Sequence, residues 1–163
     1  MTRRILPHPR LAVGLALLWL LLANSVSPGN VVLAIVLGTG IGLAVRSIWP
    51  PMPRIRAPLK AIAYVWLVLG DILVANFQVA RLVLGPIARL RPRIVTIALD
   101  VDDPVVAALL AATVTLTPGT VSVDLDVDAR RLVVHALDAP DDRSVIEPIK
   151  TRYEARLKEI FRC

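Results

Sequence analysis

The residues best placed to do chemistry lie inside the third apolar segment, Pro58 to Leu84, which Lys60, Asp71, Asn76, Gln78 and Arg81 interrupt. An acid at membrane depth is costly unless paired, so Asp71 is a candidate for an ion or proton path. Lys60, Tyr64, Asp71 and Gln78 follow at intervals of four, seven and seven residues, along one stripe of a helix. Such a stripe also suits a face that packs on another subunit or lies at headgroup level. One acid on one helix cannot carry transport alone, so Lys60, Asp71, Asn76, Gln78 and Arg81 are expected as interface residues.

Other groupings point to ordinary structure. Asp124, Asp126 and Asp128 have the spacing that opens a calcium loop, but the loop glycine and closing glutamate are missing, and the period of a strand explains them. His135 falls in a strand pattern with no second histidine nearby, and His8 lies in the leader. No serine has a nucleophile-elbow context and no glycine loop suits a phosphate. No metal or cofactor is expected, and the sequence does not support an enzyme. Cys163, the single cysteine, cannot form an internal disulfide and stands at the wrong position for prenylation.

The elements that must position these residues belong to two chemically different halves. The chain of 163 residues is 56 % hydrophobic, against roughly 45 to 50 % in an average soluble domain. From Met1 to Lys60 there are seven Arg or Lys and no acid, whereas from Ile94 to Cys163 twelve acids face eight bases. The bases flank apolar segments as topology signals do, with no aromatic-basic surface, so a pI near 10.4 does not indicate nucleic acid.

Membrane helices are expected at about 10–24, 29–49 and 58–85. Leu11 to Ala23 is unbroken apolar sequence, followed by the polar patch Asn24 to Asn30 and a second run from Val31. That close spacing favours a hairpin over a signal peptide cleaved near Ala23, Asn24 and Ser25. The first helix is short for a bilayer core about 30 Å thick. Gly38, Gly40 and Gly42 let another helix approach closely or are simply tolerated by lipid. Trp49-Pro50-Pro51 ends the second helix at an interface. The third segment is expected to lie along the cytoplasmic interface, or against a partner, without crossing. Only that arrangement keeps Arg46, Arg54, Arg56, Lys60, Arg89, Arg91 and Arg93 all inside.

Residues 1–88 thus read as a membrane region and 89–163 as a small α+β domain in the cytoplasm. Val95, Ile97 and Leu99 alternate as a strand, and Asp102 or Asp103 before Pro104 starts a helix over Val105 to Val114. Thr117-Pro118-Gly119-Thr120 fits a type II turn with positive φ at Gly119. Val121, Val123, Leu125 and Val127 then alternate with Ser122, Asp124, Asp126 and Asp128, predicting a strand with one buried apolar face and one acidic face. A strand over Leu132 to Leu137 follows, and Ser144 with Glu147 has capping-box spacing ahead of a last helix. Ile146, Ile149, Tyr153, Leu157 and Ile160 give that helix an apolar stripe opposite Lys150, Arg152, Glu154, Arg156 and Lys158. The order is strand, helix, strand, strand, helix, with the helices on one face of the sheet. So small a domain needs a docking surface.

At TLTPGT (Thr115 to Thr120), followed by the strand Val121 to Asp126 and by LVVHALD (Leu132 to Asp138), the chain closely resembles the E subunit of Mrp-type multi-subunit sodium/proton antiporters, also called Mnh or Pha. The resemblance covers nearly the whole length, including DILVAN (Asp71 to Asn76). It implies an accessory subunit of a bacterial cytoplasmic-membrane complex, needed for assembly or full activity, with the other membrane subunits and the bilayer as partners. No residue of that family's E subunits brings a catalytic role, so Asp71, Thr117, Pro118, Gly119, Thr120 and His135 are expected as structural or interface positions. The competing reading is a stand-alone membrane-tethered binding domain whose ligand surface is the acidic strand face.

Overall fold

In the computed structural model, which describes residues 9–45, 52–86 and 90–162, a helical hairpin opens the chain. α1 (Pro9–Ala23) and α2 (Pro28–Ala44) are joined by a short turn in which Asn24 takes a left-handed φ of 46° and Ser27 caps α2 through Asn30 N. The expected continuation of α2 to residue 49, and the Trp49-Pro50-Pro51 stop, lie outside the described residues. Ala12, Ala34, Gly38 and Gly42 are buried where the two helices meet. A Cβ at Gly38 would collide with the Ala12 carbonyl oxygen, whereas one at Gly40 would meet nothing within 4 Å. The glycines therefore divide, with Gly38 permitting the close approach and Gly40 facing open space. The large aliphatics Val13, Leu17, Leu21, Val32 and Val36 point outward. Thr39 returns its hydroxyl to Ile35 O at 2.7 Å, so that donor is satisfied within the helix.

The chain divides into the units Met1–Pro51 and Met52–Cys163. The boundary thus falls ahead of α3 (Pro58–Val83), not at 88/89, because α3 packs on the sheet-bearing half of its own unit. Of the described helices, α3 alone is both long and apolar enough to cross a membrane by length and composition; α1 and α2 are shorter.

Beyond α3 the predicted order holds: β1 (Arg93–Ala98), α4 (Pro104–Leu116), β2 (Thr120–Asp126), β3 (Arg131–Ala136), then helix to residue 161. That helix consists of α5 (Arg143–Pro148), a π-helical stretch Ile149–Glu154, and α6 (Ala155–Phe161). The sheet is antiparallel in the order β1-β3-β2. Val95, Ile97, Leu132 and Val134 on one sheet face pack with Val106, Leu110, Val114, Leu157 and Ile160 from the helices, and Tyr64 and Val68 of α3 join this core. Asp103 caps α4 by accepting from Val105 N and Val106 N, as Asp-Pro predicts.

Two local expectations are corrected. β2 does not alternate cleanly: its pairing with β3 shifts between Ser122 and Asp124, so a bulge at Val123 exchanges the faces. Ser122 turns inward to donate to Ala111 O at 2.8 Å, Leu125 becomes half-buried, and Val121 and Val123 are exposed. The Ser144/Glu147 capping box does not form. Asp141, three residues earlier, accepts from Ser144 N at 2.7 Å while Ser144 Oγ donates to Asp141 O.

Candidate functional site

The polar residues of α3 meet the C-terminal half of the same unit along one seam. Lys60 Nζ donates to Glu159 Oε2 at 2.8 Å, and one turn later Tyr64 Oη donates to Thr113 Oγ1 at 2.9 Å. Thr113, itself buried, donates in turn to Leu109 O. In mid-helix Asp71 receives a two-pronged guanidinium from Arg152, with Nε to Oδ2 at 2.7 Å and Nη2 to Oδ1, and Tyr153 Oη adds a third donor at 3.1 Å. Such forks are the stronger, directional kind of ion pair. The rings of Tyr64 and Tyr153 meet edge to face, centroids 6.5 Å apart.

Arg152 and Tyr153 are neighbours in sequence, yet both reach the same carboxylate. They lie in the π-helical stretch directly after Pro148, which has no N–H to give the helical ladder. The next residue, Glu154, points the opposite way and is only 1 % exposed. Its Oε1 accepts from Asp100 N at 2.6 Å and its Oε2 lies 2.7 Å from Lys150 Nζ. Lys150 also donates to Ala98 O at 2.8 Å and pairs with Asp100 at 2.7 Å. This latch fastens the end of β1 to the helix that holds Asp71.

The charges reflect these contacts. The hydrogen bond to Asp71 raises Arg152 further above its usual range. Burial pushes the Tyr153 phenol up, a hydrogen bond to Thr117 pulls it back, and the nearby Asp71 charge adds to the rise. Burial would lower Lys150, but hydrogen bonds to Asp100 and Glu154 outweigh it and the net shift is upward; the hydrogen bond from Lys150 holds Asp100 below the usual carboxylate range. The arrangement is a set of fixed clasps.

The Thr117 to Thr120 turn abuts the seam. Gly119 has φ +92°, and a Cβ there would stand 3.2 Å from Val79 Cγ2 of α3. Thr117 and Thr120 donate to Thr113 O and Val114 O, satisfying carbonyls at the end of α4. Not every expected residue joins. Among the described residues no side-chain hydrogen bond or ion pair reaches Asn76, Gln78 or Arg81, and the contact line runs instead through Tyr64, Val68, Asp71, Ala75 and Val79. A seven-residue spacing slips about 20° per repeat against a straight helix, which carries Gln78 off the seam. His135 sits in the middle strand between Ile94 and Val121, half-buried on the sheet face away from the helices.

Sequence reasoning missed Arg152, Tyr153 and Glu159 as the partners of α3: it set Arg152 opposite the apolar stripe of the last helix, put Tyr153 within that stripe and did not single out Glu159. A signal was present. Lys60 then Asp71 on one helix, against Arg152 then Glu159 on the other, is a complementary pair in antiparallel order.

Comparison with known proteins adds four findings. Residues 12–160 match the family described as MNHE, Na+/H+ ion antiporter subunit. A Rhizobium meliloti protein, named as the probable E subunit of a K(+)/H(+) antiporter, is 36 % identical, covering 95 % of this chain and 96 % of its own. The protein named as the E subunit of a Na(+)/H(+) antiporter in Alkalihalophilus pseudofirmus is 29 % identical over 90 % of this chain and 92 % of its own. Among solved structures, a chain of the archaeal membrane-bound sulfane sulfur reductase, a respiratory membrane complex, superposes with TM-score 0.69 at 28 % identity over 93 % of this chain and 97 % of its own.

Proposed function

The chain belongs to the MNHE family of Na+/H+ ion antiporter subunits, and from that premise we propose that it is an accessory subunit of a multi-subunit cation/proton antiporter in the bacterial cytoplasmic membrane. Other membrane subunits are its partners, as the relatives' names and the respiratory complex imply. It supports assembly and full activity without forming the ion path alone. The observation that carries this reading is the occupancy of Asp71: the one acid of α3 is held by Arg152 and Tyr153, leaving it a fastener. The relatives' names include both K(+) and Na(+), which supports a subunit that does not choose the cation.

The lengths of the helix and of its contact line support one membrane arrangement. α3 touches the sheet-bearing half from Lys60 to Val79, and 19 residues of helix span about 29 Å. A helix so covered cannot also cross a core about 30 Å thick without drawing Glu159, Arg152 and Thr113 into lipid. In the proposed topology the α1–α2 hairpin crosses and returns, and α3 lies along the cytoplasmic surface. Its exposed Leu59, Ile62, Trp66, Leu73 and Phe77 face the bilayer or its proteins, and the α+β domain sits in the cytoplasm.

Affinity purification of the tagged full chain in mild detergent should recover several other membrane proteins at fixed stoichiometry. Recovery of this chain alone would overturn the reading in favour of a membrane-tethered binding domain. In a Cys163→Ser background, a membrane-impermeant maleimide should label Ser25→Cys in intact spheroplasts and Arg143→Cys only after permeabilisation. Labelling of Arg143→Cys beforehand would put the domain outside.

A further inference from the structure

We propose that the groove between α4 and the outer strand β2 receives an apolar segment bearing lysine or arginine from another subunit of the antiporter complex, an inference that rests on the reading above. The groove measures about 490 Å³ and is lined by Ala112, Thr115 and Leu116 of α4 and by Val123, Asp124 and Leu125 of β2. The α+β half buries its large aliphatics well, with few exceptions. Among its described residues the exposed ones are Ile94, Leu109, Leu116, Val121 and Val123, and four of these five lie on α4 or β2. Leu109, Ala112 and Leu116 form one helical stripe. Val123 is the bulged residue, so the feature that breaks the pairing also turns an aliphatic side chain into the groove mouth, 60 % exposed.

Charge selects the occupant. Asp124 lines the groove, and its counter-ion, Arg131, stands at long range, 3.9 Å away, and is shared with Asp126 at 3.7 Å. An acidic rim repels anionic headgroups and attracts a basic side chain beside an apolar anchor. The bulge also opposes a full extra strand, so the segment is held by its side chains more than by ladder hydrogen bonds.

The test places a photoreactive benzoylphenylalanine at Val123 of the full chain in native membranes, with the cross-linked peptide sequenced after irradiation. A cross-link to a lysine- or arginine-bearing apolar segment of another subunit is expected. Cross-linking to lipid or to a second copy of this chain, or no product at all, overturns the proposal. In parallel, Val123→Glu and Leu116→Glu should lower recovery of the cross-linked subunit on the order of tenfold, with the protease resistance of the α+β half unchanged because both positions are exposed. Asp128→Asn, at the neighbouring turn, should leave recovery intact; an equal loss there would overturn the charge and groove argument alike. If the unmodified chain recovers other subunits while the groove variants recover them equally well, the groove fails and subunit membership stands. If the unmodified chain recovers none, both fall.

Discussion

The two units solve the same packing problem with opposite materials. In the hairpin the smallest residues, Ala12, Ala34, Gly38 and Gly42, are inside and the large aliphatics are outside. In the second unit Ile97, Leu110, Leu132, Leu157 and Ile160 are inside, and most charges are outside in pairs. Where lipid surrounds a helix there is nothing to gain by hiding leucine, so close backbone approach provides the cohesion. In water, hiding leucine is the main driving force, and charges must either stay wet or be matched. Inversion of the small and large residues therefore separates the halves more sharply than helix length, by which α3 looks more membrane-like than α1 or α2.

The comparison can be broken where each unit depends on its own material. The largest effect is expected at Lys150→Met, which strands the buried Glu154 carboxylate and should cost about 3 to 5 kcal/mol, read as a lowered melting temperature of the full chain in detergent. Its pH profile carries a sign. Asp100 is depressed, so its share is present above the ordinary carboxylate pKa and is lost as pH falls through the lowered value, below about pH 4. Lys150 is raised, so its share is present below the ordinary lysine pKa and is lost only as pH rises past the raised value. Native latch stability should be flat between these limits, and the variant should lack both limbs.

The hairpin should yield to bulk alone. Gly38→Leu is expected to cost about 3 kcal/mol by forcing α2 off the Ala12 backbone, while Gly40→Leu should be tolerated. Equal resistance of the two variants to proteolysis in the Asn24 to Asn30 turn would show that small residues do not hold this unit together. Next comes Asp71→Asn, which keeps the size but loses the charge that Arg152 and Tyr153 address, at about 2 kcal/mol. It should weaken assembly and leave cation affinity of any assembled complex unchanged. Normal assembly with a shifted pH profile of antiport would return Asp71 to the ion path. Gly119→Ala should cost about 1 kcal/mol from the left-handed φ, plus whatever shift Val79 makes; a neutral result would mean that the turn relaxes. Smallest of all, Lys60→Gln, whose partner is well exposed, should leave the melting temperature within measurement error.

These cases also mark how far the sequence could be read. Asp-Pro starting α4 and Pro-Gly closing its end were legible because capping and positive φ are decided within four residues. The order of strands and helices was legible from periodicity. The bulge at Val123 was not, because the Val/Asp alternation is perfect in sequence and only the need of Ala111 O for the Ser122 hydroxyl reveals which side faces in. The seam of α3 was half legible: a stripe shows that a face has a partner without saying whose. Its owner, the last helix of the same chain, lies 81 residues away at Arg152 and 99 at Glu159.

That separation has a consequence in time. At about 5 to 20 residues per second, Asp71 is added to the chain roughly 4 to 16 s before Arg152. During that interval α3 is a long apolar helix presented to the insertion machinery with its ionic partners unmade. On the proposed topology, whatever keeps it from threading into the bilayer must then act through residues already synthesised, such as Lys60 and Asp71. The final helix arrives afterwards and seals a decision it did not take, for the backbone N–H groups of Arg56 and Ala57, at the head of α3, close onto the Ile160 carbonyl near the end of the chain. On that topology the order of synthesis, as well as the finished contacts, gives the early charges of this protein their place.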